Sequence, residues 1–109
     1  MSKTTEISVV IPVKNEAGNI DTLVSEIHQS LKKFSYEIIY VNDGSEDNTE
    51  LELKNNMKNN KNLRVISHEN SQGQSAALRT GIKASNSTII ATLDGDGQND
   101  PSDLPVMID

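Results

Sequence analysis

Two carboxylates one residue apart close the run Thr88-Ile89-Ile90-Ala91-Thr92-Leu93, where the chain continues Asp94-Gly95-Asp96-Gly97-Gln98. Three chemistries are open to such a segment: a solvated turn, a calcium loop, or a cradle for a cation that a reaction uses. The calcium pattern fails, because Asn99 stands where an EF-hand needs glycine and Pro105 where it needs its closing glutamate. The functional reading that remains is a Mg²⁺ or Mn²⁺ site, with few hard oxygen ligands and positions left for substrate oxygens. A nucleoside diphosphate would be repelled by Asp94 and Asp96 unless a divalent cation stood between them. That cation would also neutralise charge growing on a departing diphosphate.

Other polar clusters carry competing readings. Asn42-Asp43-Gly44-Ser45 is an ordinary turn with Ser45 as a helix N-cap, or it presents the Asp43 carboxylate to a nucleoside base or ribose. Asn15 and Glu16 suit a helix start, where the dipole favours acids, and Lys14 alone is a surface lysine. Ser71-Gln72-Gly73-Gln74-Ser75 either offers backbone N–H groups to an anion or is a plain turn before a helix. Arg79, one turn into that helix, is the arginine best placed to approach a phosphate. His28 and His68 lack an acidic or cysteine partner at ligand spacing and read as structural or surface residues. Asn86-Ser87-Thr88 matches a glycosylation acceptor, an accidental match without a secretion signal. Neither the Gly-x-Gly-x-x-Gly of dinucleotide folds nor the Gly-Lys-Ser/Thr of phosphate loops occurs.

The elements that must position these groups alternate. Residues 7–13 (ISVVIPV) form a β-branched, mostly apolar strand buried on both faces. Ile20, Leu23, Val24, Ile27 and Leu31 recur at helical spacing. Residues 37–41 (EIIYV) predict a second strand, and about 47–60 a weaker helix with Leu51, Leu53 and Met57 inward. Residues 63–67 predict a third strand, 74–84 a helix whose Ala77 and Gly81 allow close packing, and 87–93 a fourth strand. Such alternation with short connections means parallel strands and right-handed crossovers: an α/β fold with a Rossmann-like parallel sheet, order 3-2-1-4, and flanking helices. The polar clusters then end strands one, two and four, where open parallel sheets bind ligands.

Composition narrows the partners. The chain has 109 residues, at most one domain, with 34% hydrophobic residues and a formal charge of -6. Arg64 and Arg79 are the only arginines, which argues against nucleic acid as a partner. Absence of cysteine excludes disulfides and thiolate metal sites. The N-terminus has no signal-type apolar core and no segment approaches a bilayer-spanning length, so a cytoplasmic chain is expected. Residues 101–109 read as the opening of another helix with no finish, and 1–109 is expected to be a single domain truncated at its C-terminus.

Ser8-Val9-Val10-Ile11-Pro12-Val13-Lys14-Asn15-Glu16, Val41-Asn42-Asp43-Gly44-Ser45, Ser71-Gln72-Gly73-Gln74-Ser75-Ala76-Ala77-Leu78-Arg79-Thr80-Gly81 and Leu93-Asp94-Gly95-Asp96-Gly97-Gln98-Asn99-Asp100-Pro101 follow one another in register. That series resembles family 2 inverting glycosyltransferases of the GT-A fold. Residues 93–105 look most like the branch of dolichol-phosphate mannosyltransferase and bacterial undecaprenyl-phosphate sugar transferases. The resemblance covers nearly the whole chain but only the nucleotide-binding half of such an enzyme.

It implies transfer of a sugar from a UDP- or GDP-sugar to a polyprenyl or dolichyl phosphate, with inversion and Mg²⁺ or Mn²⁺, at the cytoplasmic face of a membrane. Pro12, Lys14 and Glu16 match the nucleoside-contacting end of the first strand, although family members often carry an aromatic where Lys14 stands. Asp43 matches the aspartate that reads the base, with Asn42 replacing a common first aspartate. Asp94 and Asp96 match the Asp-x-Asp metal and diphosphate motif, and Gln98 a metal-ligand position of the polyprenyl-phosphate branch. Gly95 replaces a frequent alanine and leaves backbone contact open. The acceptor site and any general base belong to the second half of that fold, and a phosphate acceptor is already nucleophilic. Two alternatives stand beside this reading: a nucleotidyltransferase of similar architecture, whose Gly-rich basic loop is lacking at 12–18, and an inactive fragment that binds only nucleotide and metal.

Overall fold

The structure, a computed structural model, describes residues 5–94. β1 (Ile7–Val13), α1 (Ile20–Ser30), β2 (Tyr36–Asp43), α2 (Thr49–Asn59), β3 (Leu63–His68), α3 (Gln74–Ala84) and β4 (Ile89–Thr92) alternate along it. The four strands are parallel and ordered β3-β2-β1-β4, as the alternation predicts.

Period-two alternation divides the sheet. Ile7, Val9, Ile11 and Val13 of β1, with Ile38 and Tyr40 of β2, pack into one core with Leu23, Val24 and Ile27 of α1 and Leu53 of α2. The opposite face carries Ile39 and Val41 against Ala77 of α3. Here the small helix face works as the sequence suggests. A Cβ on Gly81 would lie 2.3 Å from Val10 Cγ1 and 3.2 Å from Val41 Cγ2, so only glycine lets α3 approach the sheet this closely.

At the strands' N-terminal end that face holds a polar tie. Glu37 accepts hydrogen bonds from Ser8 Oγ (2.5 Å), the Asn86 N–H (2.9 Å) and Arg64 Nη2 (3.0 Å). Burial raises its carboxyl, but these donors and the nearby guanidinium outweigh it and leave the group below its ordinary value. Arg64 also donates to the Ala84 carbonyl at 2.6 Å, fixing the end of α3.

Helix α2 departs from the sequence expectation. Ser45 does not cap it, since the helix begins at Thr49 with Asn48 at the N-cap position. Leu53 is buried, but Leu51 and Met57 are 59% and 42% exposed. The inward stripe is instead Thr49, Leu53, Asn56 and Asn60, which is helical spacing with three polar members. Asn56 Nδ2 reaches Asp21 of α1 at 2.6 Å, and Asn60 Oδ1 meets His28 Nε2 at 2.6 Å. The helices α1 and α2 are thus joined partly through amides that a hydrophobic count does not register. Two boundaries also shift: β4 is shorter than expected, and β2 runs on through Asp43.

Candidate functional site

The C-terminal ends of β1, β2 and β4 and the start of α3 enclose a cleft of about 440 Å³, a size that suits a small ligand. Pro12, Lys14, Glu16, Asp43 and Asp94 line it, with Ser71, Gly73 and Gln74 from the α3 side. Alternation explains the gathering. Asp43 lies two residues beyond Val41, and Pro12 two beyond Val10, so both fall on the α3 face. Leu93 packs into the opposite core, which leaves Asp94 on the α3 side as well.

Pro12 marks where the cleft opens. β4 pairs with β1 only over Ile7 to Val10, and the last bond across that seam runs from the Leu93 N–H to the Val10 carbonyl at 3.2 Å. In a parallel ladder alternate residues address the same neighbour, so the nitrogen of Pro12 points toward β4 beyond its pairing. Proline therefore costs the central strand no ladder bond, and the two chains separate there.

Asp43 is the most heavily bonded group in the cleft. Its Oδ1 accepts from the Gln72 N–H at 2.8 Å and from His68 Nδ1 at 2.8 Å. Its Oδ2 accepts from the Gly73 N–H at 2.9 Å and Ser71 Oγ at 3.0 Å. Burial raises the carboxyl, but the bonds from Gln72, His68, Gly73 and Ser71 prevail and bring it down to about 2. The Gln72 and Gly73 N–H groups, expected as candidates for an anion, are directed at this carboxylate. Gly44 adjoins the same loop: at φ +73° it brings a would-be Cβ within 2.7 Å of the Ser71 nitrogen, so the turn after β2 needs glycine.

The loop after β1 is closed to anions in a related way. Its successive N–H groups each find an acceptor on the segment leading into α2 or on the first turn of that helix: Asn15 to Ser45 Oγ (2.9 Å), Glu16 to Thr49 Oγ1 (2.9 Å), Ala17 to Asp47 Oδ2 (3.3 Å) and Gly18 to Glu52 Oε1 (2.9 Å). The Thr49 hydroxyl itself donates to Asp47 Oδ1, and that bond is first among the causes holding the Asp47 carboxyl below its ordinary value. Asn15, at φ 57°, accepts in return through Oδ1 from the Glu46 N–H at 2.8 Å. Glu16 Oε1 accepts from Asn19 Nδ2 at 3.0 Å.

Of the residues singled out in the sequence, Pro12, Lys14, Glu16, Asp43 and Asp94 share the cleft. Asp94 is exposed and accepts from Gln74 Nε2 at 3.2 Å. Gly95, Asp96 and Gln98 lie outside the described residues. Arg79 is exposed two positions from buried Ala77, on the outer side of α3 rather than in the cleft lining. Among the described residues no group of three or more His, Cys, Asp or Glu is placed to hold a metal ion.

His68 corrects the sequence reading, since it has an acidic partner in space: it pairs in register with Asp43 across β2 and β3. Aligning the two strands at their C-terminal ends was the available signal. The acceptor roles of Asp47, Thr49 and Glu52 had none, because they depend on how two loops meet. Among the described residues no helix is long and apolar enough to cross a membrane.

Comparison with known proteins gives consistent results. The model of the family described as glycosyl transferase family 2 matches residues 8–109. A dodecaprenyl-phosphate galacturonate synthase of Rhizobium johnstonii is 35% identical over 94% of this chain and 31% of its own length. An undecaprenyl-phosphate 4-deoxy-4-formamido-L-arabinose transferase of Proteus mirabilis is 36% identical over 97% of this chain and 33% of its own. Among solved structures, glucosyl-3-phosphoglycerate synthase of Mycobacterium tuberculosis, in complex with Mn²⁺, UDP and glucosyl-3-phosphoglycerate, superposes with a TM-score of 0.74. It is 27% identical, over 93% of this chain and 37% of that one. The chain thus spans about a third of the length of the curated relatives it matches.

Proposed function

Because the chain belongs to glycosyl transferase family 2, we propose that its cleft holds the nucleoside diphosphate of a sugar donor. The observation that carries this is the convergence of Asp43 and Asp94, from the ends of β2 and β4, on either side of the point where β4 leaves β1. Strand order reverses there: β1 leads outward through β2 to β3, and the chain then returns to β4.

Each lining residue has a part in this reading. Pro12, Lys14, Glu16 and the Asp43-bonded loop at residues 71–73 form the nucleoside wall. Asp94 stands at the diphosphate end, with Gly95 and Asp96 following it in the chain. The donor set fits a hard divalent cation: Asp94 is an exposed carboxylate at the cleft, and Asp96 and Gln98 supply further oxygens close in sequence. When bound, Mg²⁺ or Mn²⁺ supplies Lewis-acid neutralisation of the departing diphosphate. The Mn²⁺ and UDP held by the mycobacterial synthase support this assignment.

The acceptor is a polyprenyl phosphate at a membrane surface, the lipid class in the names of the Rhizobium and Proteus relatives. Its phosphate oxygen is already anionic, so attack on the anomeric carbon with inversion needs no strong general base. Calorimetry of this chain with UDP and with GDP, each with and without Mn²⁺, tests the donor site. Nucleotide binding that strengthens with Mn²⁺ supports it; binding indifferent to the metal, or no binding of either nucleotide, sinks it.

A further inference from the structure

The Asp43 carboxylate has about four acceptor positions, and the chain's own donors fill them. Three of those donors, Ser71 Oγ and the Gln72 and Gly73 N–H groups, come from a single loop. The fourth, His68 Nδ1, comes from the neighbouring strand β3. A carboxylate turns easily about its last torsion, because such sp³–sp² rotations have broad minima. Held by the loop alone, Asp43 and residues 71–73 could swing together. His68 is the tie that refers the group to the sheet.

His68 is itself fixed from the other side. Its Nε2 lies 2.9 Å from Thr80 Oγ1, on the middle of α3. With Nδ1–H donated to Asp43, Nε2 and the Thr80 hydroxyl form the second bond. The side chains of His68 and Asp43 are only 10% and 6% exposed, so little water competes for these bonds. A closed circuit results: the middle of α3, β3, β2, and back to the loop that starts α3.

We propose that His68 is a positioning residue of the cleft, fixing the Asp43 carboxylate and through it the wall at residues 71–73 against which a nucleoside lies. This rests on the donor-site reading. It also predicts that His68 acts without touching the nucleotide.

Two near-isosteric changes separate positioning from simple filling of space. In His68→Asn the carboxamide nitrogen takes the place of Nδ1 and keeps the bond to Asp43. In His68→Gln the longer chain carries its amide toward Thr80 and drops that bond. The measurements are amide hydrogen exchange at Gln72 and Gly73, the dissociation constant for UDP or GDP with Mn²⁺, and the melting temperature. His68→Gln should speed exchange at both amides and weaken nucleotide binding, each by about tenfold, the worth of one hydrogen bond to a charged group. His68→Asn should stay within about twofold of the parent in both, even where the two variants lose similar thermal stability.

Parallel losses in the two variants, tracking melting temperature, would make His68 a filler and overturn the proposal. Unchanged exchange in a folded His68→Gln would overturn it as well. If the unaltered chain binds neither nucleotide, the donor-site reading fails, while exchange at Gln72 and Gly73 still decides whether His68 positions the loop.

Discussion

The Glu16 N–H donates to Thr49 Oγ1 at 2.9 Å, joining the loop after β1 to the first residue of α2 through a hydroxyl that solvent does not reach. Because the same hydroxyl donates onward to Asp47, one buried group orders both sides of the junction. Thr49→Val keeps the shape but strands the Glu16 N–H and removes the hydroxyl bond to Asp47. Urea unfolding should show a loss of about 1–3 kcal/mol for Thr49→Val, while Thr49→Ser keeps most of the parent's stability. Equal stability of Val and Ser variants would show that the hydroxyl contributes nothing.

Asp43 gives a signed pH dependence. Its carboxyl is lowered from 3.8 to about 2 in the folded chain, so the folded state binds that proton less readily than the unfolded state. The stability this confers is complete above about pH 4 and is lost as the pH falls through about 2. In acid unfolding, Asp43→Asn should flatten the stability profile between about pH 4 and 2. An unchanged slope in that window would mean the carboxylate's hydrogen bonds do not outweigh its burial.

Gly81→Ala tests the approach of α3. In an exposed helix interior this change stabilises by about 1 kcal/mol. Here the new methyl meets Val10 at 2.3 Å, and overpacking should instead destabilise by about 1–3 kcal/mol. Adding Val10→Ala should recover part of the loss, and chemical denaturation of the single and double variants measures it. A more stable single variant would place α3 farther from the sheet.

Asp94→Asn tests the diphosphate end. The substitution should weaken UDP or GDP binding in the presence of Mn²⁺ by about tenfold, while leaving metal-free binding within about twofold. Calorimetric titrations with and without the metal make the comparison. Equal weakening in both conditions would assign Asp94 to the nucleotide rather than to the cation.

The sheet order and the three helices were legible because apolar periodicity and turn residues are local properties. Ala77 and Gly81 announced a close helix–sheet contact by size alone. The inward stripe of α2 was not legible, because Asn56 and Asn60 contribute hydrogen bonds to α1 instead of apolar area. Asp43 could be singled out from its place after a strand, but its wiring could not. The bond to His68 depends on register between strands 25 residues apart, and those to residues 71–73 on a loop that crosses over them. In the same way, nothing local marks Asp47 and Glu52 as acceptors for the loop after β1.

The loop after β1 also has a consequence for encounter rates. Its amides are engaged by Asp47 and Glu52, and the cleft beside it carries Glu16, Asp43 and Asp94 against one lysine, Lys14. A bare diphosphate approaching this side of a chain with a charge of -6 meets a repulsive field. Added monovalent salt then shortens the reach of that field and speeds arrival, the reverse of ordinary electrostatic steering. A nucleotide that arrives already complexed with a divalent cation carries less negative charge and feels a weaker barrier. On the donor-site reading, a divalent cation would then ease entry to the cleft as well as serve the departing diphosphate.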